Sequence, residues 1–302
     1  MSAGDGAAES NSGPEGQMPA RILKKEYIAP SIYRIELQAP LIARKHRAGQ
    51  FIILRVNSTG ERIPLTVLDK DTEAGTITIV FQVVGKTTMM LADLPVGGEL
   101  LDLVGPLGRP TEIHDFGHAV CIAGGVGTAC VYPIAKALKE AGNHVVTILG
   151  GRTAEHLTLE AEFGAISDRL DICTDDGSKG LHGFVSHRFI QMLDAGEKVD
   201  YVLAVGPVLM MKAICDITRD RGLKTVVSLN AVMVDGTGMC GSCRVQVGGK
   251  TKFACVDGPE FDGADVDFKN LASRLRAYKV LEDESREIYE AHRHACESRE
   301  QG

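Results

Sequence analysis

The sequence contains no tryptophan, and aromatic residues make up only 5% of it. No stretch approaches the ~20 consecutive apolar residues that a membrane helix needs, so no span is expected. Basic runs are missing as well. Lys and Arg number 33 against 40 Asp and Glu, a formal charge of -7, which excludes the electrostatic footprint of a nucleic-acid or anionic-membrane binder. The first twenty residues hold no hydrophobic segment, so neither a signal nor a transit peptide is expected in them. Rich in Gly, Ser, Glu and Asn, residues 1–20 are expected to form a disordered tail. Eight cysteines spread over 302 residues do not make the dense framework of a small secreted scaffold, and the pattern is that of a reducing, cytoplasmic compartment.

What is present is an ordinary globular composition, 44% hydrophobic and 24% charged, long enough for two or three cores. From Arg21 to Ile113, short alternating strands (Ile32–Leu37, Gln50–Val56, Thr76–Val84) are separated by turn residues, which predicts a small antiparallel β-barrel over 21–113. Three interruptions stand out in it: Arg62-Ile63-Pro64-Leu65-Thr66, Gly85-Lys86-Thr87-Thr88, and Gly105-Pro106-Leu107-Gly108. The second offers backbone N–H groups and a lysine to a phosphate, although taken alone it reads first as a Thr-capped helix start, the commoner pattern.

At His118 the periodicity changes. A buried run, Ala119–Ala123, leads into Gly124-Gly125-Val126-Gly127-Thr128, an amphipathic run to Ala141, and a second buried run from His144 to Gly150. This is a βαβ unit, and it places an α/β parallel-sheet domain over 114–229. The glycine turn lets a dinucleotide pyrophosphate approach a helix N-terminus. The fingerprint is incomplete: Cys130 stands where the third glycine belongs, and Gly150-Gly151-Arg152 ends the second strand without the ribose-binding acid, so a plain structural turn remains an alternative. Two more strand ends, Asp171–Gly177 with Asp175 and Asp176, and Val202–Pro207 with Gly206 and Pro207, point toward the same crevice. The helix after Pro207 opens with Met210 and Met211, which read as core. Cys121, Cys130, Cys173 and Cys215 read as buried thiols; Cys296 lies in a charged tail.

The stretch after Val234 carries the most specific chemistry. Asp235, Cys240 and Cys243 have the spacing of C-x4-C-x2-C with the first thiolate replaced by a carboxylate, and Cys255 completes four ligands of a plant-type [2Fe-2S] centre. Gly236, Gly238 and Gly241 let the backbone wrap and aim N–H groups at sulfur. A zinc ribbon or unrelated thiols are the alternatives, although no second C-x2-C exists. This module is expected over 230–268. Apolar residues at Leu271, Leu275, Tyr278 and Leu281 then predict one terminal helix, packed by one face, over 269–302.

The order of barrel, βαβ sheet and iron–sulfur loop over about residues 20 to 280 resembles the FAD- and [2Fe-2S]-containing electron-transfer subunits related to that of dihydroorotate dehydrogenase, a branch of the ferredoxin–NADP reductase superfamily. Arg62–Thr66, Val83-Val84-Gly85-Lys86-Thr87-Thr88 and Val234–Cys243 most resemble the small subunits of NADH-dependent reduced ferredoxin:NADP oxidoreductases, with Asp235 the distinguishing position. The resemblance implies that Arg62, Pro64, Leu65 and Thr66 face the isoalloxazine, with Thr66 near N5, and that Val83 to Thr88 hold the FAD pyrophosphate. Leu65 fills the slot of the superfamily's aromatic residue, and Arg62 lies one residue early. Gly124, Gly125, Gly127, Thr128, Gly151, Arg152, Asp175, Asp176, Gly206 and Pro207 are implied to bind NAD(H) or NADP(H). The partner implied is a larger flavoprotein of the glutamate-synthase small-subunit type, with ferredoxin served indirectly. The rival readings are the electron-transfer subunit of dihydroorotate dehydrogenase itself, or a non-enzymatic cluster-based redox sensor.

Overall fold

The computed structural model describes residues 20–300. The tail expected over 1–20 lies outside the described residues, except that Ala20 opens the first strand.

The antiparallel barrel is built from β1 (Ala20–Ala29), β2 (Ile32–Gln38), β3 (Phe51–Arg55), β4 (Ile63–Asp71), β5 (Thr76–Gln82), β6 (Glu99–Leu100) and β7 (Asp102–Leu107), with α1 (Pro40–Lys45) and α2 (Lys86–Asp93) in its connections. The strand order is β6-β1-β2-β5-β4-β3-β7. Leu101 alone separates β6 from β7, so one bent stretch pairs with β1 at its start and with β3 along its length, closing the sheet on itself. Alternation along β3 gives the strand two jobs. Ile52 and Leu54 enter the barrel core, whereas Phe51 and Ile53 enter a second core shared with the rest of the chain.

The parallel sheet contains β8 (His118–Gly124), β9 (His144–Gly151), β10 (Arg169–Thr174), β11 (Leu181–His182), β12 (Tyr201–Val205) and β13 (Thr225–Ser228), crossed by α3 (Thr128–Glu140), α4 (Glu160–Ile166), α5 (Val185–Asp194) and α6 (Val208–Arg219). A hairpin of β14 (Arg244–Val247) and β15 (Lys250–Phe253) leads through α7 (Ala254–Asp257) to β16 (Glu260–Asp262), which returns antiparallel to the edge of this sheet beside β13. The full order is β11-β10-β9-β8-β12-β13-β16. From β8 the chain winds one way and later the other, so a switch point opens between the carboxyl ends of β8 and β12. In open α/β sheets that is where ligands bind.

The single helix expected after Phe268 is two, α8 (Phe268–Arg276) and α9 (Lys279–Glu300). Leu271 is buried and Leu275 packs on the core, but Tyr278 and Leu281 are exposed. The apolar face stops being used once the chain leaves the sheet, and α9 instead reaches α2, where Tyr289 Oη donates to Asp93 at 3.1 Å. Cys121, Cys173 and Cys215 are buried as expected, whereas Cys130 is only half-buried. Among the described residues no helix is long and apolar enough to cross a membrane.

Candidate functional site

A cleft of about 900 Å³ lies at the switch point, between the barrel and the parallel sheet. One wall is Phe51, Pro64, Leu65, Thr66 and Gln82 of the barrel; the other is the turn Gly124–Gly127 and the strand end Val205-Gly206-Pro207. Gly151, Arg152 and Asp175 line the same cleft from the ends of β9 and β10. Glycine is required at Gly127, because an added Cβ would stand 2.5 Å from the Val205 carbonyl oxygen. That contact seats the turn on the end of β12 and opens the α3 N-terminus to the cleft, where backbone N–H groups favour an anion. Thr128 is buried and its hydroxyl donates to Gly125 O at 3.0 Å, so it closes the turn rather than lining the cleft. Asp176 is likewise outside the lining and accepts from Ser178 N at 3.0 Å and Ser178 Oγ at 2.6 Å. These bonds hold its carboxyl below the usual range.

Thr66 Oγ1 stands 3.0 Å from Cys130 Sγ, linking the barrel wall to the first turn of α3. Burial pushes the Cys130 thiol up, so it is a neutral partner and not a nucleophile. The stretch Val83–Thr88 lies outside the cleft lining. Thr88 Oγ1 accepts from the N–H groups of Val84 and Gly85, both at 3.0 Å, and donates to Gly85 O at 2.8 Å, which caps α2. Lys86 Nζ donates to Thr59 O at 2.7 Å, and Thr87 Oγ1 accepts from Glu61 N at 3.0 Å. The cap reading of this segment is therefore realised, while the N–H groups of the first α2 turn have no intrahelical acceptor and stay available to an anion. Arg62 is engaged away from the cleft, with Nε donating to Val234 O at 2.9 Å and Nη1 to Asp102 Oδ2 at 3.2 Å.

The hairpin explains how distant cysteines meet. Arg244 pairs with Phe253 at its open end, so Cys243 and Cys255 flank the two strands and their sulfurs stand 3.2 Å apart, buried. Burial, then the neighbouring Cys243, pushes Cys255 up to about 12, a cost that a bound cation relieves by taking the thiolates as ligands. Cys240 is exposed, with its sulfur 3.2 Å from Ser242 Oγ. Asp235 Oδ2 accepts from Thr237 N at 3.0 Å and Met239 N at 3.3 Å, leaving Oδ1 without these bonds. The four candidate ligands thus fall into two pairs, Asp235 with Cys240 and Cys243 with Cys255. Among the described residues no three His, Cys, Asp or Glu side chains gather on one point as a mononuclear site requires, whereas a two-iron centre distributes its ligands over two metals. Gly236, at φ +85, lets the loop lie on the barrel, since a Cβ there would meet Leu107 Cδ1 at 2.7 Å and Ile53 Cδ1 at 2.8 Å.

Residues 230–267 match the iron–sulfur cluster binding domain of dihydroorotate dehydrogenase B, residues 121–216 an oxidoreductase NAD-binding domain, and residues 19–111 an oxidoreductase FAD-binding domain. The chain is 48% identical over 268 residues to a dihydroorotate dehydrogenase B electron transfer subunit homolog of Thermotoga maritima, covering 89% of this chain and 94% of that one. It belongs to the dihydroorotate dehydrogenase B electron transfer subunit family. The family's subunit from Geobacillus thermodenitrificans is 32% identical over 260 residues, 83% of this chain and 98% of its own length. The solved structure of an NADH-dependent reduced ferredoxin-NADP oxidoreductase superposes with a TM-score of 0.85 at 46% identity, covering 91% of this chain and 99% of that one. As a member of this electron transfer family, the chain is an oxidoreductase subunit with FAD-, NAD- and iron–sulfur-binding domains.

Several cleft residues of this family member escaped sequence reasoning: Gln82, His156, Phe184, Ser228 and Asn230 all line it. Met210 does too, packing over Gly124 and Gly206, while Met211 alone is core. Glu260 in β16 was also missed. Half-buried where the barrel meets the parallel sheet, it accepts from Thr111 Oγ1 at 2.6 Å, and desolvation there pushes its carboxyl up to about 7.

Proposed function

We propose that this subunit moves electrons between NAD(H), FAD and a [2Fe-2S] centre and exchanges them with a larger flavoprotein of the glutamate-synthase small-subunit type, serving ferredoxin and NADP indirectly in the cytoplasm. The observation that carries this reading is the shared cleft: a strand with Thr66 forms one wall and a glycine turn at a helix N-terminus the other. Bound FAD supplies the exchange between a nicotinamide's hydride and single electrons. On this reading Pro64, Leu65 and Thr66 bear on the isoalloxazine, Thr66 offers its hydroxyl at N5, and Val83–Thr88 with the α2 N-terminus receive the pyrophosphate. Gly124, Gly125, Gly127, Gly151, Arg152, Asp175, Gly206 and Pro207 hold the nicotinamide dinucleotide, with Thr128 and Asp176 shaping its turns. Asp235 and Cys240 ligate one iron, Cys243 and Cys255 the other.

NAD(H) is favoured over NADP(H) because the similar proteins carry NAD(+) or NADH in their names, although Arg152 is an exposed cation at the ribose end of β9. The partner is supported by the rim of the cluster loop. Met239 is 87% exposed, and Val234 and Val256 are exposed beside it, an apolar surface around Cys240 suited to a docked subunit. The names of the relatives also favour a second reading, with a dihydroorotate-oxidising partner; co-purification from the native host separates the two.

The isolated chain is expected to bleach its own flavin when NADH is added anaerobically and to reduce artificial acceptors, but not to couple ferredoxin to NADP. Robust ferredoxin-dependent NADP reduction by this chain alone overturns the two-subunit reading. A second test addresses Thr66. Thr66→Val should keep FAD and slow its single-turnover reduction by NADH about tenfold, the effect of one lost hydrogen bond of about 1–1.5 kcal/mol. An unchanged rate removes Thr66 from the chemistry.

A further inference from the structure

We infer that Arg62 is a positioning residue, a strut that fixes the cluster loop against the barrel strand bearing Pro64–Thr66 and so governs electron passage between flavin and cluster. The inference rests on the reading that Pro64–Thr66 face the flavin and that Asp235, Cys240, Cys243 and Cys255 hold the cluster.

Arg62 immediately precedes β4, so its backbone is continuous with the strand on the cleft wall. Its side chain turns the other way. Nε donates to Val234 O at 2.9 Å, across a sequence separation of 172 residues, and Nη1 donates to Asp102 Oδ2 at 3.2 Å. The Arg62 and Asp102 side chains are 28% and 39% exposed, so this is a half-buried fork tethered at both prongs rather than a loose surface pair.

The acceptor is informative. The peptide joining Val234 to Asp235 presents its C=O to Arg62, and Asp235 is itself a candidate cluster ligand. One peptide unit therefore connects the guanidinium to a candidate cluster ligand, so the fork fixes where that ligand stands. Two residues on, Gly236 rests directly on Ile53 and Leu107, and Ile53 pairs with Pro64 across β3 and β4. The loop is thus seated on the barrel by a hydrogen-bonded fork at one point and a Cβ-free contact at the next. Electron transfer falls steeply with distance, and this strut fixes where the cluster loop stands against the barrel strand. Lysine replaces it only in part, because a single ammonium keeps the charge but lacks the planar fork that reaches a carbonyl and a carboxylate together.

The event to be read is transfer of one electron from NADH-reduced flavin to the oxidised cluster. Arg62 makes and breaks no bond in it and keeps its charge throughout. The test compares the parent with Arg62→Gln and Arg62→Lys in the complete protein by three readouts: FAD per chain, amide hydrogen exchange over residues 234–240, and stopped-flow rates at flavin and cluster bands after one equivalent of NADH. The expected result for Arg62→Gln is retained FAD, unchanged flavin reduction, exchange of the loop amides faster by tenfold or more, and cluster reduction slowed by a similar factor with altered cluster EPR; Arg62→Lys should lie between. Loss of FAD with an unchanged loop overturns the inference in favour of a phosphate ligand, as does parent-like exchange and transfer in both variants. If Arg62→Gln does not fold, Asp102→Asn loosens the fork while leaving Arg62 intact, and the same exchange and transfer readouts decide. Failure of the underlying reading looks different, since the parent itself would then show no NADH-reducible flavin or no cluster.

Discussion

Alanine at Cys243 or at Cys255 is expected to abolish cluster loading, with bound iron and labile sulfide falling to background while FAD stays at the parental ratio. The two sulfurs are buried 3.2 Å apart at the end of a hairpin, where among the described residues no third His, Cys, Asp or Glu gathers with them into a closed site. An iron that loses one of two protein ligands there has no substitute. FAD is spared because its candidate contacts lie in the barrel, which has a core of its own. Cys240→Ala should fail similarly, although Cys240 is exposed and water can reach the vacated position. Asp235 separates two roles. If Oδ1 ligates iron while Oδ2 holds Thr237 and Met239, Asp235→Ala should load poorly, and Asp235→Cys should assemble a four-thiolate cluster with a shifted reduction potential. Iron content, EPR spectrum and potential of Asp235→Ala identical to the parent would make Asp235 a loop cap alone.

The fold was legible where residue periodicity reports burial directly. Alternation in Ile32–Gln38 and Thr76–Gln82 marked the barrel, and the uninterrupted apolar runs of β8, β9 and β12 marked a sheet covered on both faces. The β14–β15 hairpin was missed despite a signal, because Gly248-Gly249 between two four-residue strands is a two-residue turn pattern, with both glycines at positive φ. Short β16 gave no comparable signal; three residues are too few for a period, and their pairing with β13 is decided by tertiary contact. Motif spacing brought out the glycine turn that lines the cleft and the candidate ligand set, since both are close in sequence. Spacing is silent about residues whose meaning is in their partners. Arg62 looked like a flavin residue from its neighbours in sequence, yet its guanidinium meets groups 40 and 172 positions away. Ser228 and Asn230 reach the cleft only because β13 lies beside β12.

Glu260 supplies a pH dependence that no motif announces. Its folded-state carboxyl is raised from 4.5 to about 7, the cause being burial, with the Thr111 hydroxyl bond only partly opposing it. The charged and titratable groups around this junction are Cys130 on α3 and Tyr201 on β12, each pushed up in part by Glu260, with Glu112 of the same linker as Thr111 acting on Tyr201. Among the described residues no ion pair reaches Glu260, and the neighbouring cation, Lys224, stands over the Tyr201 ring 6.0 Å from its centroid. A raised carboxyl binds its proton more tightly in the folded chain than in the unfolded one, so folding is penalised once the unfolded carboxyl ionises. The penalty is absent below pH 4.5, grows as pH rises toward 7, and is constant above it. Its full size follows from the shift and is about 3 kcal/mol at most. Glu260→Gln keeps an acceptor for Thr111 Oγ1 and removes the ionisation. It is expected to unfold at nearly the parental midpoint at pH 4.5 and at a midpoint several degrees higher at pH 8, followed by circular dichroism with cofactors bound. A difference between variant and parent that does not change with pH would show that Glu260 is ionised normally in the folded chain, its charge balanced by solvent at the junction.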